Sequence, residues 1–244
     1  MDADRAIRVA TAIGDLAQAE GVPAAVRHVC VACAAMVGAT GVGASVISHL
    51  GLVEPLAATS SASEWVMDLQ ATLGEGPSTV ALAENRPVLI PDLSSDVCMR
   101  RWPAFAPAAV TAGTLAVFAF PLVLGAISMG VLEIHRADAG SLTAAELVDA
   151  WLFTDAAMIQ VIDQLSRPSS GSLPASDGDL EYRWAEVHQA TGVVSVQLDT
   201  TLADALLRLR AHAYLTGRRL SEVAHAVLTG ALRLASGTDD HDQG

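Results

Sequence analysis

Between Trp102 and Leu132 the chain carries not one charged side chain. A run of that kind must be hidden from water, either in a bilayer or between the layers of a folded domain. Its core, TAGTLAVFAFPLVLGAISMGVL, has the length of a membrane-spanning helix. However, Pro103, Pro107 and Pro121 and Gly113, Gly125 and Gly130 interrupt the stretch, and helix interiors tolerate such residues poorly. Two runs with β-branched and aromatic residues, TLAVFAFPLVL and SMGVLEIH, flank GAI. That is the pattern of two strands meeting at a turn. Arg100 and Arg101 precede the stretch, but no basic cluster marks one end as cytoplasmic. We read a buried β-hairpin, with the membrane span as its alternative.

Around this hairpin the pattern alternates between helix and strand. Residues 3–20 and 23–37 read as helices, with Pro23 suited to a first turn. GVGASVISHLGLVEPLAAT suits two strands of a hairpin, SEWVMDLQATL and TVALAENR suit helices around the loop GEGPS, and PVLIPDL suits a strand. Thr143 and Glu146 form a capping box that opens a helix over 141–165. Its expected apolar side is Leu147, Trp151, Met158, Ile162 and Leu165.

Composition then changes abruptly. RPSSGSLPASDGD has little to bury and reads as a linker, with only helical patterns beyond it. A helix is expected from Leu180 to Leu198, a second from near Thr200 to Gly217, and a third from near Ser221 to about Leu234. Leu202, Ala205, Leu206, Leu209 and Ala213 should line one face of the second, and Val223, Ala224, Val227, Leu228 and Ala231 one face of the third. The expected organisation is an N-terminal helix over 1–19, an α+β domain over 20–165, a flexible linker over 166–180, a three-helix bundle over 181–235 and a disordered tail over 236–244.

Charge is divided unevenly between these parts. The formal net charge is -13, yet residues 181–235 hold six of the fourteen arginines and only five of the 27 acids. A phosphate-bearing partner would meet this segment and be repelled by the rest. The chain contains no lysine. P-loop, protein-kinase and Schiff-base chemistry, each of which needs that amine, are thereby excluded. Cys30, Cys33 and Cys98 do not make a disulfide framework, and MDADRAIRVA is no signal peptide. The expected location is the cytoplasm.

Arg208 and Arg210 lie late on the second helix, and Arg218 and Arg219 fall in the turn after it. Arg210, Tyr214 and Arg218 are four apart and would share one edge if helicity persisted to the turn. Guanidinium groups beside an aromatic ring grip phosphates and stack on unpaired bases. The competing reading is a solvated surface with the arginines paired to Asp204 or Glu222. HVCVAC places His28, Cys30 and Cys33 on one helix, short of the four ligands a zinc site needs. Buried thiols are the ordinary outcome there. His49 and His135, at strand ends, are the candidates for a haem ligand. No catalytic constellation is present, so no enzymatic activity is expected.

The segment HQATGVVSVQLDTTLADALLRLRAHAYLTGRRLSEVAHAVL resembles the ANTAR domain, a three-helix RNA-binding module of transcription antiterminators. The matching positions are Gln189, Ala190 and Gly192 in the first helix, Ala205, Leu209, Arg210 and Ala213 in the second, and Leu220, Val223 and Ala224 in the third. Thr191 stands where the family usually has Lys. LGEGPS, RPVLIPDL, RWPAFAPAAVTAG and AFPLVLGAISMGVLEIHR resemble a GAF sensor domain of the kind joined to ANTAR domains in actinobacteria. The resemblance implies an α+β GAF sensor, an antiparallel sheet flanked by helices, followed by an all-α ANTAR bundle. It further implies binding of RNA hairpins in nascent transcripts, a homodimer, and a small-molecule ligand of the GAF pocket as the only bound group. The RNA-facing positions implied are Gln189, Thr191, Arg208, Arg210, Tyr214, Arg218 and Arg219. The alternatives are a dimerising interaction module without RNA binding and a metal or haem redox sensor.

Overall fold

The computed structural model describes residues 2–48, 53–166 and 178–234. It divides into two units, Met1–Leu180 and Glu181–Gly244. The first contains helices α1 (Asp2–Glu20), α2 (Val26–Val37), α3 (Ser61–Leu73), α4 (Pro77–Glu84), α5 (Asp96–Arg101), α6 (Phe105–Thr111) and α7 (Ala144–Ser166). Its strands are β1 (Gly41–Ile47), β2 (Val53–Ala58), β3 (Val88–Ile90), β4 (Ala116–Leu124) and β5 (Ile127–Arg136). They form one five-stranded sheet in the order β2-β1-β5-β4-β3, with every neighbouring pair antiparallel.

The charge-free stretch is not one hairpin throughout. Its first part folds into α6, and only from Ala116 does it become the β4–β5 pair. The helices α5 and α6, absent from the expected order, are six and seven residues long, too short to give a periodic signal. The strands turn at Gly125 and Ala126, with Gly125 left-handed at φ 64°. No helix among the described residues is long and apolar enough to cross a membrane.

Both faces of the sheet are covered. Phe118, Phe120 and Leu122 of β4 and Leu132 and Ile134 of β5 pack with α1, α2 and α7. Val117, Ala119 and Val131 point the other way, into Val66, Ala81, Trp102, Phe105 and Ala109. Alternation thus gives one strand pair two apolar faces, which is why it reads as a continuous hydrophobic run. Arg136, at the end of β5, donates to the Val37 carbonyl and to Glu146 Oε1 at 2.6 Å, and its guanidinium lies 5.8 Å from the Phe118 ring centre. It therefore fastens the end of α2 and the start of α7 to the sheet.

The capping box forms as expected. Thr143 N–H donates to Glu146 Oε2 at 2.7 Å, and Glu146 N–H to Thr143 Oγ1 at 3.2 Å. The Thr143 backbone bond, followed by the Arg136 contact, holds the Glu146 carboxyl below its ordinary range. Its stabilisation is present above the unfolded-state pKa and is lost as pH falls through the depressed folded value. Of the expected apolar side of α7, Met158 is buried and Leu147 and Ile162 pack against the core, but the centre of the buried stripe lies elsewhere. Ala150, Phe153, Ala157 and Val161 are its fully buried side chains, while Trp151 is 41% exposed and touches Phe120 edge-on at 5.4 Å. Ala150 and Ala157 seat the helix close to the sheet, with Phe153 buried between them. The expected Leu165 side chain lies outside the described residues.

In the second unit, α8 (Gly178–Leu198), α9 (Leu202–Thr216) and α10 (Leu220–Leu228) form a small packed group. The N-cap of α9 is Thr201, whose hydroxyl accepts from Asp204 N–H at 3.1 Å. Gly217, at φ 63°, ends that helix. α10 stops at Leu228, six residues before the expected end, and Gly230 at φ 75° follows. Ala231 is accordingly exposed rather than on the packed face. The expected linker residues 167–177 and tail residues 236–244 lie outside the described residues.

Two glycines in the first unit have opposite requirements. A Cβ on Gly130 of β5 would sit 2.1 Å from the Ser45 carbonyl oxygen, whereas one on Gly14 of α1 would meet nothing within 4 Å. Gly130→Ala is expected to cost about 1–3 kcal/mol, since backbone must move. Gly14→Ala is expected to add up to about 1 kcal/mol of stability. Urea denaturation of the two variants beside the parent checks both signs.

Candidate functional site

The face of the sheet covered by α3 and α4 holds a polar network inside an apolar layer. Glu133 on β5 accepts from Gln70 Nε2 of α3 at 2.7 Å, and His135 Nε2 lies 3.1 Å from the same carboxylate oxygen. Gln70 Oε1 in turn accepts from the backbone N–H of Ser78, in the first turn of α4, at 2.9 Å. All four residues are buried. Strand alternation explains the placement: Val131, Glu133 and His135 share one face of β5, with Leu132 and Ile134 on the other. A buried carboxylate is costly unless it is hydrogen-bonded, and here Gln70 donates to the oxygen beside which His135 Nε2 lies.

The loop between α3 and α4, GEGPS, shapes this network. Gly74 and Gly76 adopt φ 67° and φ 134°, conformations that favour glycine. Glu75 between them turns outward and accepts from the N–H groups of Ala104 and Phe105 at 2.9 and 2.7 Å, capping the start of α6. On the neighbouring strand, Cβ atoms at Gly41 and Gly43 would lie 1.9 Å from Ser63 Oγ and 2.1 Å from Met67 Sδ. Glycines on β1 thus let α3 lie directly on the sheet.

A second candidate surface lies on α8–α10. Gln189 and Arg208 are exposed, and Tyr214 is 59% exposed beside Leu215 at 81%. Arg218 is exposed, donates to the Glu222 carbonyl at 3.1 Å and stands 3.7 Å from the Glu222 carboxylate. Helicity ends at Thr216, so Arg218 lies beyond the helix and does not continue the edge of Arg210 and Tyr214 as spacing suggested. Arg210 is half-buried, its Nε has no partner within the protein, and burial holds its pKa below the ordinary value. Arg219 is the half-buried N-cap of α10. Thr191 does not belong to this surface. It is 1% exposed, and its hydroxyl donates to the Val187 carbonyl at 2.7 Å within α8. The first and third helices are joined by Glu186 and His225, whose Oε1 and Nδ1 lie 3.0 Å apart.

The fold of the first unit has counterparts among solved structures. The chain is similar to a GAF domain from an Acinetobacter phosphoenolpyruvate-protein phosphotransferase, with a TM-score of 0.51 and 11% identity over 68% of this chain and 96% of that one. A GAF domain from the corresponding Coxiella burnetii protein aligns with a TM-score of 0.49 and 12% identity over 66% of this chain and 96% of that one. The first unit has a GAF fold. No protein-family profile and no curated protein matches the sequence.

The metal and haem candidates find other roles in this GAF unit. His28 Nδ1 accepts from Ala25 N–H at 3.0 Å at the start of α2, and its Nε2 lies 3.3 Å from Glu20. Both ring nitrogens are therefore engaged. Cys30, Cys33 and Cys98 are buried and free, and no cluster of three metal-ligating side chains occurs among the described residues. His135 belongs to the Glu133 network, and His49 lies outside the described residues. Sequence reading passed over Gln70, Ser78 and Glu133. The available signal was Glu133 itself, a carboxylate at an alternating position within an otherwise apolar strand.

Two predictions arise from these placements. Burial pushes the Cys30 thiol up to about 12 and raises that of Cys33 well above its ordinary value. At pH 8 the Cys30 thiolate is about one part in ten thousand. Thiol titration with a disulfide reagent should therefore find these two sulfurs silent until the protein unfolds. At position 191, Thr191→Val should leave stability nearly unchanged. Thr191→Lys should cost about 1–3 kcal/mol by forcing an ammonium toward a packed interior. Thermal melts of both variants test this.

Proposed function

We propose that this chain is a signal-responsive regulator in which the GAF unit senses a ligand or state and α8–α10 bind hairpins in nascent RNA, preventing a terminator from forming. The observation that carries the reading is the joint exposure of Arg208 and Tyr214 on α9 and of Arg218 just after it, in a chain of net charge -13. An exposed aromatic ring among guanidinium groups suits unpaired bases and phosphates. Gln189, exposed on α8, is placed to meet a base edge. Arg210, with its half-buried guanidinium, contributes at the margin, and Thr191 makes no contact. The protein acts in the cytoplasm as a homodimer, without catalytic activity. Ligand occupancy in the sensor shifts the population between RNA-competent and RNA-incompetent arrangements.

A second reading has its own observation. Leu207, Leu215 and Val196 are exposed, the last by 83%. Apolar side chains left in water on α8 and α9 favour a protein-interaction module. Salt-dependent binding to a panel of RNA hairpins separates the two. RNA binding predicts affinity that falls as salt rises, with a log–log slope shallower by about two in Arg208→Ala/Arg218→Ala. Absence of binding by the folded dimer at low salt, together with loss of the dimer in Leu207→Ser/Leu215→Ser, would establish the interaction module instead.

A further inference from the structure

We propose that the position held by Gln70 is a recognition site for the amide or lactam group of a small molecule, which the protein fills with its own carboxamide until a ligand replaces it. This inference rests on the sensing role of the GAF unit and is independent of RNA binding. The Gln70 carboxamide spans two fixed partners, accepting from Ser78 N–H at 2.9 Å and donating to Glu133 Oε2 at 2.7 Å. A backbone donor and a carboxylate acceptor facing one another match the C=O and N–H of an amide. A ligand lactam would restore both bonds as Gln70 leaves, so the exchange costs no unpaired buried group.

The surroundings contain more polar capacity than Gln70 uses. Gln70, Ser78, Glu133 and His135 are each 3% exposed or less. Yet Ser78 Oγ and His135 Nδ1 have no hydrogen-bond partner within the protein. In the neutral tautomer that donates from Nε2 to Glu133, Nδ1 is an acceptor. A ligand bearing a further N–H or O–H beyond its lactam edge would therefore bind more tightly than the Gln70 side chain it replaces. The loop chemistry leaves room for the carboxamide: a Cβ on Gly76 would lie 2.5 Å from Gln70 Oε1. The same loop is bonded through Glu75 to the start of α6. Movement of Gln70 is thus felt at the α3–α4 loop and at the helix it caps.

The test uses the missing side chain as its own probe. Gln70→Ala removes the atoms of one acetamide molecule. Added acetamide is expected to raise the melting temperature of this variant saturably, and acetone, which lacks the N–H, is not. The rescue is expected to vanish in Gln70→Ala/Glu133→Leu. Equal effects of acetamide and acetone, or no effect of either on a folded variant, would overturn the proposal. If Gln70→Ala does not fold, γ-butyrolactam is titrated into the parent protein by saturation-transfer NMR. Binding that is lost in Glu133→Leu supports the site, and no binding overturns it. Rescue by acetamide without any change in RNA affinity would leave this site standing while overturning its coupling to the helical unit.

Discussion

The GAF unit depends on a strand pair that is buried on both sides. Once β4 and β5 are covered by α1, α2 and α7 on one face and by α3–α6 on the other, an inward position is apolar or carries a polar group held by hydrogen bonds such as those of Glu133. This constraint explains the charge-free sequence, the close approach of α3 at Gly41 and Gly43, and the exacting environment of Glu133. It also explains why Arg136 stands where β5 leaves the sandwich. There its guanidinium can reach the carbonyl end of α2, a carboxylate on α7 and the ring of Phe118 together.

Much of this architecture was legible from local pattern. The β1–β2 and β4–β5 hairpins, the long helices and the Thr143–Glu146 box each carry their signal within a few neighbouring residues. What escaped was non-local. The helices α5 and α6 exist because Trp102 and Phe105 pack under the sheet, and a six- or seven-residue turn has no period to detect. The fully buried stripe of α7 runs through Ala150, Phe153 and Ala157 rather than Trp151, a placement set by the sheet that the helix meets. The network of Gln70, Ser78, Glu133 and His135 joins the neighbouring helices α3 and α4 to β5, whose Glu133 lies 63 residues beyond Gln70, so no spacing rule exposes it.

In the helical unit, legibility differed between faces. Ala205, Leu209, Ala213, Val223 and Ala224 were readable as packed positions because burial follows helical periodicity. The outward groups were harder, since exposure does not name a partner. Thr191 illustrates the limit: a position facing RNA by analogy sits inside the helix packing, its hydroxyl already spent on its own helix.

The sheet margins carry a further consequence. β2, at one edge, contains Pro55 and Glu54, and β3, at the other, is three residues long. Proline offers no N–H, and a strand so short gives an incoming chain little to pair with. Self-association of this unit by extending its sheet is therefore disfavoured from either side. A contact between copies made by side chains instead could respond to a change of packing inside the domain without breaking a single backbone ladder.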